Sequence, residues 1–98
     1  MIAQNQTFND ITVYIDGGTY TGCTFTRCVM VVSGILPAQI AGNKFIECKW
    51  EFSGPAANTV GFLISLYAGG ASDFVEKIFD AIRKDSAELK SGNRIVLN

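Results

Sequence analysis

GCTFTRCVMVVSG, Gly22 to Gly34, is followed twenty residues later by GNKFIECKWEFSG, Gly42 to Gly54. Overlaid, Gly22 falls on Gly42, Phe25 on Phe45, Cys28 on Cys48, Met30 on Trp50, Val32 on Phe52, Ser33 on Ser53 and Gly34 on Gly54. The pattern also runs backwards with a shift of 17: Thr7 and Phe8 fall on Thr24 and Phe25, Ile11 on Cys28, Val13 on Met30, Ile15 on Val32 and Gly17 on Gly34. A period near twenty residues is that of a solenoid, in which one coil cannot bury its own apolar side and stacked neighbours complete the core. Within each copy apolar residues alternate, as Ile11, Val13, Ile15, then Cys28, Met30, Val32, then Cys48, Trp50, Phe52. Alternation marks strands with one face buried. Gly17, Gly34 and Gly54 end the runs, as corners would. The pattern therefore predicts parallel strands stacked at about 4.8 Å, with Phe8, Phe25 and Phe45 above one another in one interior column.

A finer rhythm lies inside this repeat. Tyr20, Phe25, Met30, Ile35, Ile40, Phe45 and Trp50 are spaced by five, and two residues before each stands Gly18, Cys23, Cys28, Ser33, Ala38, Asn43 or Cys48. This pattern, over Gly18 to Trp50, about a third of the chain, resembles the pentapeptide-repeat proteins. The resemblance implies a four-sided, right-handed β-helix. The chain departs from that family in having few Asp or Asn before the central residue, hardly any Leu at the centre, and a corner three residues short at Asp16-Gly17-Gly18. A broader coil with a single five-residue strand accommodates the pattern as well as a square one does. The whole chain also resembles a group of small uncharacterised bacterial proteins, through YIDGGTYTGCTFTRC (Tyr14 to Cys28) and ANTVGFLISLYAGG (Ala57 to Gly70). That likeness implies no activity.

The 98 residues make one expected domain, with coils over 1–54 and a helical cap and tail over 55–98. The fold class read from the pattern is β-rich α+β: a short three-coil parallel β-helix followed by a C-terminal helical hairpin. Coil one is expected over Thr7 to Gly17, coil two over Thr19 to Gly34 and coil three over Ala38 to Gly54, with Leu36-Pro37 forcing a corner. Met1 to Gln6 reads as a polar cap.

Beyond Pro55, which breaks the coil, Asn58 and Thr59 read as caps of a helix over Val60 to Tyr67. That segment is apolar nearly all round, and such a helix is expected to be buried on several sides, covering the coils. A second helix is expected from the N-cap Ser72 to about Asp85, or on to Lys90 with Gly92 as its stop. Its apolar stripe is Phe74, Val75, Ile78, Phe79 and Ile82, opposite Lys77, Asp80, Arg83 and Lys84. Arg94 to Leu97 reads as a short strand able to add to an open edge.

Eight basic and nine acidic side chains give a net charge of −1, without the cationic excess that nucleic acid requires. The first residues lack the pattern of a secretory leader, and the longest apolar run, Val60 to Ala68, falls short of the roughly 20 residues of a membrane span. A cytoplasmic protein is expected. Cys23, Cys28 and Cys48 all fall on inward positions and read as packed, reduced thiols; with no histidine in the chain, their spacing matches no zinc site.

The absence of histidine also removes the commonest general base, and the glycine pairs lack the strand, loop, helix and Lys context of a phosphate cradle. No catalytic residue, metal ligand or cofactor is assigned. The outward residues Asp10, Arg27 and Glu47 form an acid, base, acid column, read as charge compensation along a ladder. Two functional classes remain. The first is a self-associating structural or interaction protein, a homo-oligomer whose contacts include Trp50, Phe52, Phe62, Leu63, Leu66 and Tyr67. The second is a binder of a small metabolite or signalling nucleotide, with Tyr14, Asp16, Tyr20, Arg27 and Trp50 lining the pocket.

Overall fold

Nine short strands precede two helices in the computed structural model, which describes residues 1–88. The first coil supplies β1 (Ile2–Gln4), β2 (Thr7–Asn9) and β3 (Thr12–Tyr14). The second supplies β4 (Thr19–Thr21), β5 (Thr24–Thr26) and β6 (Val29–Val32). The third supplies β7 (Gln39–Ala41), β8 (Lys44–Ile46) and β9 (Lys49–Phe52). They form three parallel sheets, ordered β1-β4-β7, β2-β5-β8 and β3-β6-β9, the stacking of a short β-helix or solenoid. The register is the one the repeat predicts: Phe8 pairs with Phe25 and Phe25 with Phe45, Val13 with Met30 and Met30 with Trp50. Each coil contributes three short strands, where the two cross-sections considered from sequence had four sides or one long strand. The stretch that would form a fourth side is only Asp16-Gly17 in the first coil and an irregular Ser33 to Pro37 in the second.

The five-residue rhythm is a three-residue strand plus a two-residue corner, and one corner residue in each step takes a left-handed backbone. Asn5, Gly22 and Gly42 stack at one corner, Asp10, Arg27 and Glu47 at the next, and Gly17, Gly34 and Gly54 at the third, with φ between 51° (Arg27) and 75° (Gly34). Four of these nine are not glycine, and each holds a conformation that L-residues adopt at a cost of roughly 1 kcal/mol or more. At Gly22 the choice is enforced twice, because φ is +65° and an added Cβ would run into the Asn5 side chain of the coil below.

The core is the interior of the second coil. Tyr20, Cys23, Phe25, Cys28 and Met30 are its largest fully buried side chains, joined by Ala3, Val13 and Ile15 of the first coil. The phenylalanine column is continuous: the Phe8 and Phe25 rings stack at 5.1 Å and 10°, and those of Phe25 and Phe45 at 5.3 Å and 9°. Cys23, Cys28 and Cys48 are free thiols on inward positions, and each lies against a carbonyl of the coil below, those of Ala3, Phe8 and Phe25 respectively.

Three expectations are corrected. Residues 2–4 are not a loose cap but the first strand of coil one, because Ala3 heads the column completed by Tyr20 and Ile40. The first helix, α1 (Gly54–Ala68), begins six residues early. Pro55 stands in its first turn, where a missing N–H costs nothing, so Asn58 and Thr59 lie inside the helix; the Thr59 hydroxyl bonds back to the Pro55 carbonyl. Third, α1 is not buried on several sides: among the described residues none of its side chains is buried, and Phe62 and Ile64 are 60% and 64% exposed.

The chain divides into two units, Met1–Val60 and a second beginning at Gly61. In the second, α1 ends in a Schellman turn: the Ala71 N–H reaches the Leu66 carbonyl at 2.9 Å, and Gly70 supplies φ +105°. The second helix, α2, runs over Ser72–Glu88. The Ala71 carbonyl accepts its first helical bond, so the cap lies one residue before Ser72. Val75 is the buried member of the apolar stripe, while Phe74, Phe79 and Ile82 stay exposed. Lys90, Gly92 and Arg94 to Leu97, read above as a helix end and an extra strand, lie outside the described residues.

Candidate functional site

The third coil repeats the inward pattern of the second without its burial. Ile40, Trp50 and Phe52 are 49%, 45% and 53% exposed, and Phe45 and Cys48 are half-buried. The cause is position in the stack: β7, β8 and β9 each lie at the end of a sheet and pair on one side only. The result is an apolar floor whose walls are edge strands with backbone groups on their free side.

The floor is held firmly from below. The Asn43 side chain accepts the Cys23 N–H at 2.8 Å and donates to the Tyr20 carbonyl at 3.0 Å, so it stitches coil three to coil two from within. Phe45 meets Phe25 face to face and Trp50 edge to face, the latter at 5.0 Å and 64°. Trp50 thus rests on Met30 of the coil below and is oriented by the Phe45 ring of its own coil, while it stays 45% exposed. Outward on β9 stand Lys49 and Glu51, both exposed, one on each side of Trp50.

The residues grouped from sequence as pocket-lining lie on different parts of the coils. Tyr14 is outward and exposed on β3, while Tyr20 is 2% exposed inside the core, its hydroxyl toward the Met1 sulfur and its pKa raised by burial. Arg27 stands at the charged corner, its Nε and Nη2 on the two Asp10 oxygens at 2.7 and 3.1 Å. That bidentate pair holds the Asp10 carboxyl below its ordinary value and raises Arg27. The column read from sequence as acid, base, acid is therefore one ion pair, with Glu47 adding its field to Arg27.

Asp16 has a different task. Its carboxylate accepts the Ser33 hydroxyl, the Ser33 N–H at 2.9 Å, the Ile35 N–H at 2.8 Å and the Leu36 N–H at 3.3 Å. These bonds, the Ser33 hydroxyl first, hold it far below the usual carboxylate range. The three residues by which the second coil exceeds the first are wound around this carboxylate. The sequence shows the length mismatch at Asp16-Gly17-Gly18; its solution depends on three amides that only the fold assembles.

Of the residues assigned from sequence to an oligomer contact, Trp50 and Phe52 lie on the open end of coil three. Phe62, Leu63, Leu66 and Tyr67 lie on α1, where Phe62 and Tyr67 are exposed and Leu63 and Leu66 half-buried. The Tyr67 hydroxyl donates to Glu76 Oε1 at 3.1 Å, which raises its pKa. Ile40, Phe45, Lys49 and Glu51, which share this end of the coils, belong to neither of the two residue groups that the sequence suggests as contact or pocket. The signal for them is the point where the repeat stops, at Pro55, which makes coil three the last rung among the described residues. Among the described residues no three His, Cys, Asp or Glu side chains gather as metal ligands, and no helix is long and apolar enough to cross a membrane.

Comparison of the chain with protein-family models, with curated proteins and with solved structures finds no match.

Proposed function

We propose that the protein is a non-enzymatic, self-associating structural or interaction protein, built on a short right-handed β-helix of pentapeptide-repeat type. One observation carries the reading: coil three keeps a large apolar interior, Ile40, Phe45, Trp50 and Phe52, that stays partly exposed at a sheet end with no further strand among the described residues. Side chains of this size gain about 25 cal/mol for each Å² removed from water. Aromatic anchors flanked by polar residues are the usual centre of a protein interface. The uncovered apolar surface of α1, with Phe62, Ile64 and Tyr67 exposed, points the same way. Three free thiols support a reducing, cytoplasmic setting.

The test is the mass of the particle in solution across a concentration series. Light scattering should give a dimer or larger species at micromolar concentration, and a clean monomer throughout would remove the proposal. Thermal unfolding against a panel of metabolites and nucleotides completes it. A monomer whose midpoint rises by several degrees with one compound would replace the scaffold by a small-ligand binder.

A further inference from the structure

We infer that a second copy of this chain closes the open end of coil three, its β9 pairing antiparallel with β9 across a two-fold axis at Trp50. The inference rests on the self-association proposed above and supplies its geometry.

Backbone direction selects the centre. The Lys49 N–H donates to Cys28 and the Ser53 N–H to Val32, both in the second coil. Backbone groups alternate sides along a strand, so those of Trp50 and Phe52 point away from β6, toward the free edge. An antiparallel partner centred on Trp50 then exchanges both backbone bonds with its own Trp50 and pairs Phe52 with Cys48 of the second copy. In this register inward residues meet inward ones, extending the apolar column across the axis.

The charges agree with this register. Lys49 comes to lie opposite Glu51 of the second copy, and Glu51 opposite its Lys49. Both are non-hydrogen-bonded positions, where facing side chains approach most closely. The sequence Lys49-Trp50-Glu51 is complementary to its own reverse. The head-to-tail alternative lacks this property. Continuing the ladder in register would set Glu47 over the next copy's Asp10, Lys49 over Thr12 and Glu51 over Tyr14, following the columns already present. That arrangement gains no ion pair and stacks two acids. A two-fold contact also closes on itself, whereas the head-to-tail one grows into a fibre. A contact confined to one end of the coils belongs with small, transient interfaces, and a weak, micromolar association is expected.

Charge reversal tests the register. Lys49→Glu places acids opposite acids, and Glu51→Lys places bases opposite bases; both positions are exposed, so unfolding midpoints should stay near that of the parent. Sedimentation of the parent up to about 100 µM should show a dimer, and each variant alone should dimerise roughly tenfold more weakly. An equimolar mixture of the two variants should recover parent-like association, since every facing pair is then of opposite sign. A parent that dimerises while the variants match it, or a mixture that recovers nothing, would overturn the β9 contact and leave self-association through another surface. A parent monomeric over the whole range would overturn both.

Discussion

Coil two and coil three present large apolar residues inward in the same register, yet Met30 is 1% exposed where its partner Trp50 is 45% exposed, and Tyr20 2% where Ile40 is 49%. Strand, corner and even ring orientation are shared, for Phe45 stacks on Phe25 as Phe25 stacks on Phe8. What differs among the described residues is the number of neighbouring coils, two for the middle coil and one for the last. Burial in a stacked fold therefore belongs to the interface between rungs and not to the rung. A coil at the end is either completed by something else or left with apolar surface in water.

The stacked phenylalanines give the largest expected contrast. Phe25→Ala removes a ring packed on both faces and should cost about 3–5 kcal/mol in denaturant unfolding, whereas Phe45→Ala, open on one side, should cost about 1–2 kcal/mol. Equal losses, measured on dilute protein, would mean that the two coils are equally covered. A second contrast reads the same asymmetry through the thiols. Cys48 is half-buried while Cys23 and Cys28 are buried, so alkylation of the native protein should modify Cys48 at least about tenfold faster. Its labelling should also slow as concentration rises, if coil three is covered by a second copy.

The corner joining coils one and two should respond to acid. Asp16 is ionised in the fold far below the ordinary 3.8, so its contribution is fully present above that value and fades as pH falls from there toward the depressed one. Asp16→Asn should lower the unfolding midpoint at neutral pH by less than Phe25→Ala does. Its difference from the parent should shrink as the pH is taken down from about 4. A constant gap down to strongly acid pH would show that the charge on Asp16 is not what holds Ser33, Ile35 and Leu36. The smallest effect belongs to Arg27→Ala. The Arg27 and Asp10 side chains are 54% and 60% exposed, so the change in midpoint should be slight and should vanish in high salt.

The repeat and its register were legible because one side-chain size recurs at one interval, and a column needs like shapes above one another. Where the column tapers the signal fails: Ala3 stands under Tyr20, and β1 went unread. Pro55 was ambiguous for a different reason, since it both ends a strand and suits the first turn of a helix. The corner residues Asp10, Arg27 and Glu47 looked like a ladder of charges. Their left-handed backbone, which a glycine would announce and Asp10 only hints at, gives no sign in Arg27 and Glu47.

The order of residues along the chain thus specified which side chains point inward and which rungs meet, because strand alternation and repeat length are local properties of a polymer. Whether an inward side chain escapes water was settled by the folded stack, since it depends on a neighbour above as well as below. For Ile40, Trp50 and Phe52 the described residues provide the lower neighbour alone.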